Sequence, residues 1–400
     1  MRRLRYNVVV VGAGPSGGSA ARAAAERGAS VLLLEEHREV GLPIQCAEGL
    51  SERGLRDAGL KPTGDVVSQR ITGVKVYAPN GRFISLRGSD WVGYTINRDV
   101  FDRMLAEKAV DAGAELMTAT RVRGVLREDG AVKGVYATRN GRTLKIEADV
   151  VIGADGYAST VRRSSGLGRW FPDVVTCAEF RLGNLSLDEP EVNEFYFGRE
   201  VAPGGYAWVF PKSSEVANVG LGVRKYHKAP PIVYLKRFIA SDPRFRDAEI
   251  LMVMGGVTPV SGILRRIVDD GVMLVGDAAG ELIPCTGAGV HSGVVAGLIA
   301  GEVAAEASLE GDASAERLEE YVRRFEAEWG KRIRDSRRVV EMLDRFSDED
   351  LNLLAEVLTG DEIVALANGL NVSRVLARIL RRAPLKVVRL ITAYLRGGGR

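Results

Sequence analysis

Four hundred residues, 46% hydrophobic and 27% charged, describe an ordinary globular chain long enough for two domains, or for one with a large insertion. A formal net charge of +3 is too small to imply nucleic acid as a partner. Three cysteines, Cys46, Cys177 and Cys285, stand far apart with no disulfide-framework or metal spacing, so no metal ligand set is expected and a reducing cytosol fits.

The basic start Met1-Arg2-Arg3-Leu4-Arg5 runs into a valine strand over 7–11, not into an apolar stretch with a cleavage site, so no targeting signal is read. No run of about 20 apolar residues suggests a membrane-spanning helix. Gly12-Ala13-Gly14-Pro15-Ser16-Gly17 follows the first strand and opens an alanine-rich helix that Gly28 stops. A second strand over 31–34 ends at Glu35, completing a βαβ unit. Residues 36–64 read as irregular, and 71–96 alternate as strands do. A helix over 98–112, opened by Asn97, places Phe101, Leu105 and Ala109 on one face. Strands recur over 131–138 and 143–152. From 174 to 260 the pattern is mostly β, with turns at Pro203-Gly204-Gly205 and Lys212-Ser213-Ser214. A buried strand over 272–275 and a small-residue helix over 289–308 precede a helical remainder from 314, and 397–400 read as a disordered end.

This alternation predicts an α/β chain whose two domains interleave. The nucleotide-binding domain takes 1–70, 97–173 and 262–312. A mixed β-sheet substrate domain takes 71–96 and 174–261, and a C-terminal helical region takes 313–400.

Three motifs carry chemistry. In the first, Gly12 allows a tight turn, Gly14 lets the backbone approach a pyrophosphate, and Gly17 lets helix and sheet pack closely. The helix N-terminus offers free N–H groups to phosphate, Ser16 lies in the same loop, and Glu35 suits the ribose hydroxyls of FAD or NAD. The second is a strand ending in Gly153-Ala154-Asp155-Gly156, which on its own also fits an ordinary turn. The third is a strand ending in Gly276-Asp277, where the acid could bond a ribityl hydroxyl. Gly287-Ala288-Gly289 then leads into a helix at Val290, whose N-terminus could face a flavin ring.

Tyr206, Trp208 and Phe210 share one face of an extended segment, either as a core stripe or as the wall of an apolar tunnel. Cys46 reads equally as a small buried hydrophobe. His227 and His291 have no partner at metal spacing, and His37 reads as a solvated loop residue. After Glu362 no acid occurs, while Arg374, Arg378, Arg381, Arg382, Lys386, Arg389, Arg396 and Arg400 alternate with apolar residues around Pro384. Two short helices result, either packed on the body or docked on an anionic membrane surface.

The three motifs in this order resemble the FAD-dependent hydroxylase and reductase superfamily. That resemblance implies a Rossmann-type FAD-binding domain of the aromatic-hydroxylase kind, with Asp155, Gly276 and Asp277 at the flavin. The segments Gly41-Leu42-Pro43-Ile44-Gln45-Cys46-Ala47-Glu48-Gly49-Leu50 and Tyr206-Ala207-Trp208-Val209-Phe210-Pro211-Lys212, with Asn97-Arg98-Asp99, narrow it. They are similar to the geranylgeranyl reductase family, in particular its archaeal lipid-reducing branch. The resemblance implies flavin contacts from Cys46, Ala47, Gly49, Arg98, Val122, Gly287, Gly289 and Val290. It implies a lipid site of Tyr206, Trp208, Phe210 and Pro211, with Cys46 and Tyr206 as candidate catalytic residues. Ala47 and Ala288 depart from glycines usual in the family, and Cys285 from an aliphatic residue, which leaves the loop geometry there open.

The implied activity is saturation of isoprenoid double bonds in geranylgeranylated glycerophospholipids of archaeal membranes. No second strand–glycine–helix unit is seen, so electrons are expected from an external donor, ferredoxin or NAD(P)H. A cytoplasmic chain, peripheral at the inner membrane face, is expected. The rivals are an FAD-dependent monooxygenase or halogenase on the same scaffold, and a non-catalytic lipid-binding flavoprotein.

Overall fold

The computed structural model describes residues 4–88, 92–224 and 229–396. His227 and 397–400 lie outside the described residues, as does the side chain of Arg396.

The fingerprint strand Leu4–Val11 lies at the centre of the first sheet, parallel to Arg142–Gly153 on one side and Val31–Leu34 on the other. Val272–Leu274 and Glu115–Met117 extend the sheet in parallel outward from these two. Both faces are covered, which is why Val8, Val9, Val10, Val11 and Leu32, Leu33, Leu34 run as unbroken apolar stretches. Gly12, Glu35, Ala154 and Gly276 leave the carboxyl ends of these strands, so the three motifs meet at one edge of the sheet.

The second sheet has seven strands, ordered Glu249–Pro259, Val174–Gly183, Ala217–Arg224, Ala207–Pro211, Val192–Tyr196, Gly73–Tyr77 and Phe83–Arg87. Two segments depart from expectation. Residues 36–64, read as irregular, carry the strand Gly49–Ser51 and the helix Glu52–Asp57, because Ser51 caps that helix through the Gly54 N–H. Gly93–Ile96 does not join this sheet but pairs with Gly49–Ser51 and Val67–Ile71 in a small third sheet. The helix Arg98–Asp111 begins immediately after it, and Tyr94 and Ile96 pack with Leu55, Phe101 and Leu105 in one cluster. So short a link ties the strand to that helix.

Helix Pro15–Glu26 packs along helix Val290–Glu310. The latter, with 21 residues and a mean hydropathy of 1.3, is long and apolar enough to span a membrane, contrary to the sequence expectation. It is nevertheless a mostly buried core helix. Its glycines explain the close approach: a Cβ on Gly297 would stand 2.1 Å from the Ser16 carbonyl oxygen, and one on Gly301 2.2 Å from that of Ala20.

The remainder is helical. Ala315–Phe325 passes through a π-helical segment, Glu326–Gly330, into Lys331–Leu343. Asp348–Val357 and Gly360–Ala367 each start in a capping box, set by Ser347 with Asp350 and by Thr359 with Glu362. Val372–Arg382 and Pro384–Arg396 follow, divided at Pro384. Val339, Phe346, Val357, Leu366, Val375, Ile379 and Leu390 give these helices a core of their own.

Gly297→Val tests the helix contact. The added carbons have no room, and overpacking of this kind costs about 1–3 kcal/mol. Thermal unfolding followed by circular dichroism is expected to show a lower midpoint than wild type. An unchanged midpoint would mean that the two helices separate freely.

Candidate active site

The first part of the site is a cradle for a dinucleotide. Gly12 adopts φ +97°, and a Cβ there would fall 2.5 Å from the Ala154 carbonyl oxygen. A Cβ on Gly17 would fall 1.7 Å from the Gly12 carbonyl oxygen, so loop and helix touch. Gly14 has open space where its Cβ would be, and no side chain caps the helix that it begins. The free N–H groups and dipole of that helix end are what a pyrophosphate requires. Glu35 accepts the Ala13 N–H at 3.0 Å through one oxygen and the His37 N–H at 2.9 Å through the other. The His37 ring also comes within 2.7 Å of Glu35, so His37 is a partner of the ribose acid and not a merely solvated residue. Ser16 wedges between Gly276 and Gly293, where Cβ atoms would meet its hydroxyl at 2.4 and 2.5 Å.

Two acids expected at the flavin behave differently. Asp277 lines the cavity, and burial raises its carboxyl to about 6. The Asp155 carboxylate turns away to accept the Ser159 hydroxyl at 2.5 Å and the Thr160 and Val161 N–H groups at 2.6 and 3.0 Å. It thus caps the short helix Thr160–Ser165 while still lining the cavity.

Next to the cradle lies the loop carrying Cys46 and Glu48. Glu48 is 1% exposed and holds φ +70°, a region that non-glycine residues seldom adopt. One carboxylate oxygen accepts the Arg98 N–H at 2.9 Å. The other accepts from Arg181 at 2.5 Å, Lys212 at 2.6 Å and Asn218 at 2.8 Å. Burial alone would raise this carboxyl, but Lys212 and Arg181 outweigh it and hold it below the usual range. Asn218 also reaches the Ala47 carbonyl at 3.3 Å, which fixes the loop at the departure from glycine. Ala288, the other departure, is held in a bridge with Ile283. Arg98 forks onto Asp102 with two bonds of 2.8 Å.

The third part is an apolar chamber. Tyr206, Trp208 and Phe210 all line it, so the stripe is a wall and not sealed core. Phe195 locks the wall edge-on, 5.5 Å from Tyr206 and 5.4 Å from Phe210 between ring centroids. Pro211 does not line the chamber but is buried at the strand end opposite Ala217, because alternation turns it to the other face. The Tyr206 hydroxyl donates to the Thr286 carbonyl, and burial pushes the phenol far up. Tyr206 is thereby an anchor between sheet and glycine loop, not a free acid. Cys46, Cys177 and Cys285, distant in sequence, all line the same cavity as neutral thiols raised by burial.

Cradle, loop and chamber form one cavity of about 2590 Å³, lined by all the expected flavin ligands except Gly17 and Gly276, which pack behind it. The sequence reading passed over Glu48 as a functional residue, although it is the only charged residue from Gly41 to Leu50. It also missed Glu179 and Arg181, which share a face with Cys177 by strand alternation.

A dinucleotide cradle opening directly into an aromatic chamber defines an FAD-dependent oxidoreductase. Residues 7–165 match the family model for FAD dependent oxidoreductases, and 173–258 match the geranylgeranyl reductase catalytic domain. A digeranylgeranylglycerophospholipid reductase of Methanothrix thermoacetophila is 44% identical over 90% of this chain and 93% of its own. A geranylgeranyl bacteriochlorophyll reductase-like structure from Thermoplasma acidophilum superposes with a TM-score of 0.88 at 31% identity, covering 98% of this chain and 100% of that one. A flavin-dependent brominase, 20% identical with a TM-score of 0.72 over 91% of this chain and 94% of its own, shares the fold alone. The chain belongs to the digeranylgeranylglycerophospholipid reductase family, and its cofactor is FAD.

Glu48→Gln keeps the shape of the site but leaves Lys212 and Arg181 without their anion. Breaking a buried pair in this way costs about 3–5 kcal/mol. The depressed carboxyl contributes stability that is present above its ordinary value of 4.5 and is lost as pH falls through the lower folded value. Urea unfolding is expected to show wild type well ahead of the variant at neutral pH, with the gap closing below pH 4.5.

Proposed function

We propose that this chain saturates isoprenoid C=C bonds of geranylgeranylated glycerophospholipids. The observation that carries the reading is the continuity of the FAD cradle with an apolar chamber walled by Tyr206, Trp208 and Phe210. Bound FAD, in its reduced form, supplies the hydride. An isolated alkene has no carbonyl to polarise, so the protein must work by placing it and by excluding water. The locked aromatic wall does the first. The helices after Lys331–Leu343 do the second, because Leu351, Leu354 and Leu358 close the chamber on its far side. Reducing equivalents come from an external donor, a ferredoxin or NAD(P)H. The oxygenase and halogenase alternative draws on the shared fold alone.

The test is anaerobic. Dithionite-reduced protein is incubated with a geranylgeranylated glycerophospholipid, and the lipid is weighed by mass spectrometry. Gains of two hydrogens for each double bond are expected, and an unchanged lipid with oxidant-free flavin would overturn the reading.

The substrate resides in a bilayer, and the last two helices offer a way to meet it there. On Val372–Arg382, Val375 and Ile379 face inward while Leu376 and Leu380 are 46% and 48% exposed. Leu385 is 83% exposed, with Val388 and Ile391 beside it. Arg382 and Lys386 pair with Glu362 and Glu356 of the two preceding helices, whereas Arg374, Arg378, Arg381 and Arg389 stay exposed. Apolar and cationic groups on one outer surface suit an anionic membrane, where each basic residue contributes about 1 kcal/mol. The chain then works in the cytoplasm, peripheral at the inner membrane face.

A combined Leu376→Gln, Leu380→Gln, Leu385→Gln variant changes exposed positions only, whereas truncation would open the core built on Val375 and Ile379. Co-sedimentation with anionic liposomes is expected for wild type at low salt, weaker at high salt, and weaker again for the variant. Equal binding by both proteins would remove these helices from the mechanism.

A further inference from the structure

Along Val174–Gly183 the alternate residues Val175, Cys177 and Glu179 line the cavity, and Arg181, next on that face, reaches Glu48. Glu179 is only 4% exposed. Its Oε1 is buried without a hydrogen bond of normal geometry among the described residues, as is the Trp208 Nε1, which nevertheless lies near enough to favour the Glu179 anion. The two side chains meet over Gly220, where a Cβ would stand 2.5 Å from the indole ring and 2.9 Å from the Glu179 Cβ. Burial first, and then the nearby Glu48 carboxylate, hold the Glu179 carboxyl well above its ordinary range despite Arg181 and Lys212. A neutral carboxylic acid with uncommitted hydrogen-bonding capacity therefore stands in the wall between the Cys46 loop and the aromatic strand.

Its competitors on that wall are committed or weakly acidic. The Tyr206 hydroxyl is given to the Thr286 carbonyl. The Cys177 and Cys285 thiols are pushed up to about 12, and burial raises Cys46 as well. Glu48 is ionised and bonded through both oxygens. Asp277 lies apart, against Gly289 of the glycine loop.

We infer that Glu179 is the acid of the reaction, giving its proton to the alkene carbon that does not receive the hydride. The inference rests on the reductase reading above. The balance is complete: the π bond, the Glu179 O–H bond and the bond that held the hydride on its donor break, and two C–H bonds form. The hydride brings the two electrons from the reduced cofactor, which leaves oxidised, and the acid becomes a carboxylate. Groups facing it are Glu48 and Cys46 from the loop, Cys177 and Arg181 from its own strand, Lys212 from beyond Ala207–Pro211, and the Trp208 indole. Arg181 and Lys212 then balance two carboxylates, Glu48 and Glu179, in place of one. Water admitted as product leaves returns the proton.

Two substitutions separate an acid from a structural side chain. Glu179→Gln keeps size and neutrality but carries no acidic proton, and Glu179→Asp keeps the proton on a shorter arm. In the holoenzyme, reoxidation of the reduced flavin by lipid in a single anaerobic turnover is expected to slow about 100-fold or more in Glu179→Gln, the scale of general-acid catalysis. Glu179→Asp is expected to retain more activity than Glu179→Gln. Flavin content and melting midpoint are expected to stay at wild-type values in Glu179→Gln. Without any turnover, the infrared difference spectrum of wild type minus Glu179→Gln is expected to show the carbonyl band of a protonated carboxylic acid, a subtraction that cancels the contribution of the buried Glu281, raised to about 8. A Gln variant that works within a few-fold of wild type, or loses its flavin, or outperforms Asp would assign Glu179 a structural role and overturn the inference. So would a difference spectrum without that band. Failure of wild type itself to saturate the lipid would instead overturn the reductase reading, a result seen without any variant.

Discussion

The buried carboxylate of Glu48 ties the loop beside the nucleotide cradle to the side of the molecule built on the seven-stranded sheet. It belongs to a loop of the FAD half, yet Arg181, Lys212 and Asn218, its strongest partners, belong to the seven-stranded sheet. A carboxylate in so dry a place is unfavourable unless its charge and lone pairs are answered, and here every partner is a donor aimed at it. The left-handed backbone at Glu48 is strained for a residue with a Cβ, and it persists because the network over-determines it. Cys46 is held through the same turn, its sulfur accepting the Glu48 N–H at 3.2 Å. The distance between flavin loop and chamber wall is thus set by this ion pairing together with the close approach of Gly49 to the Phe210 ring, where a Cβ would stand 2.8 Å away.

Small residues set the other dimension of the site. Gly297 and Gly301 bring Val290–Glu310 against Pro15–Glu26, and Ser16 is trapped between Gly276 and Gly293. The pyrophosphate loop and the glycine loop at 287–289 are consequently parts of one rigid unit. Tyr206 extends that unit to the chamber by bonding its hydroxyl to Thr286. An aromatic residue of the chamber wall thus also serves as a strut.

The C-terminal helices complete the chamber and also face outward. Their inward residues, among them Leu366 and Val375, form a core that seals the far wall. Their outward residues are apolar and basic together, which is an uncommon surface for a chain otherwise balanced in charge.

Much of this was legible in the residues alone. The glycine fingerprint, Glu35, Gly276-Asp277 and the Tyr206–Phe210 stripe are local patterns, each set by backbone geometry within one element, so spacing is enough to read them. The order of those patterns along the chain determined the fold class and the cofactor. The tertiary structure decided what depends on distant neighbours: that Gly93–Ile96 leaves the large sheet, and that Pro211 turns away from the chamber. Three cysteines far apart in sequence reach one cavity. Glu48 meets Arg181, Lys212 and Asn218 across separations of 133, 164 and 170 residues. No local period encodes such a meeting, because a buried charge takes its partners from whatever the folded chain brings within hydrogen-bond reach, and only closure of both domains around Glu48 brings these.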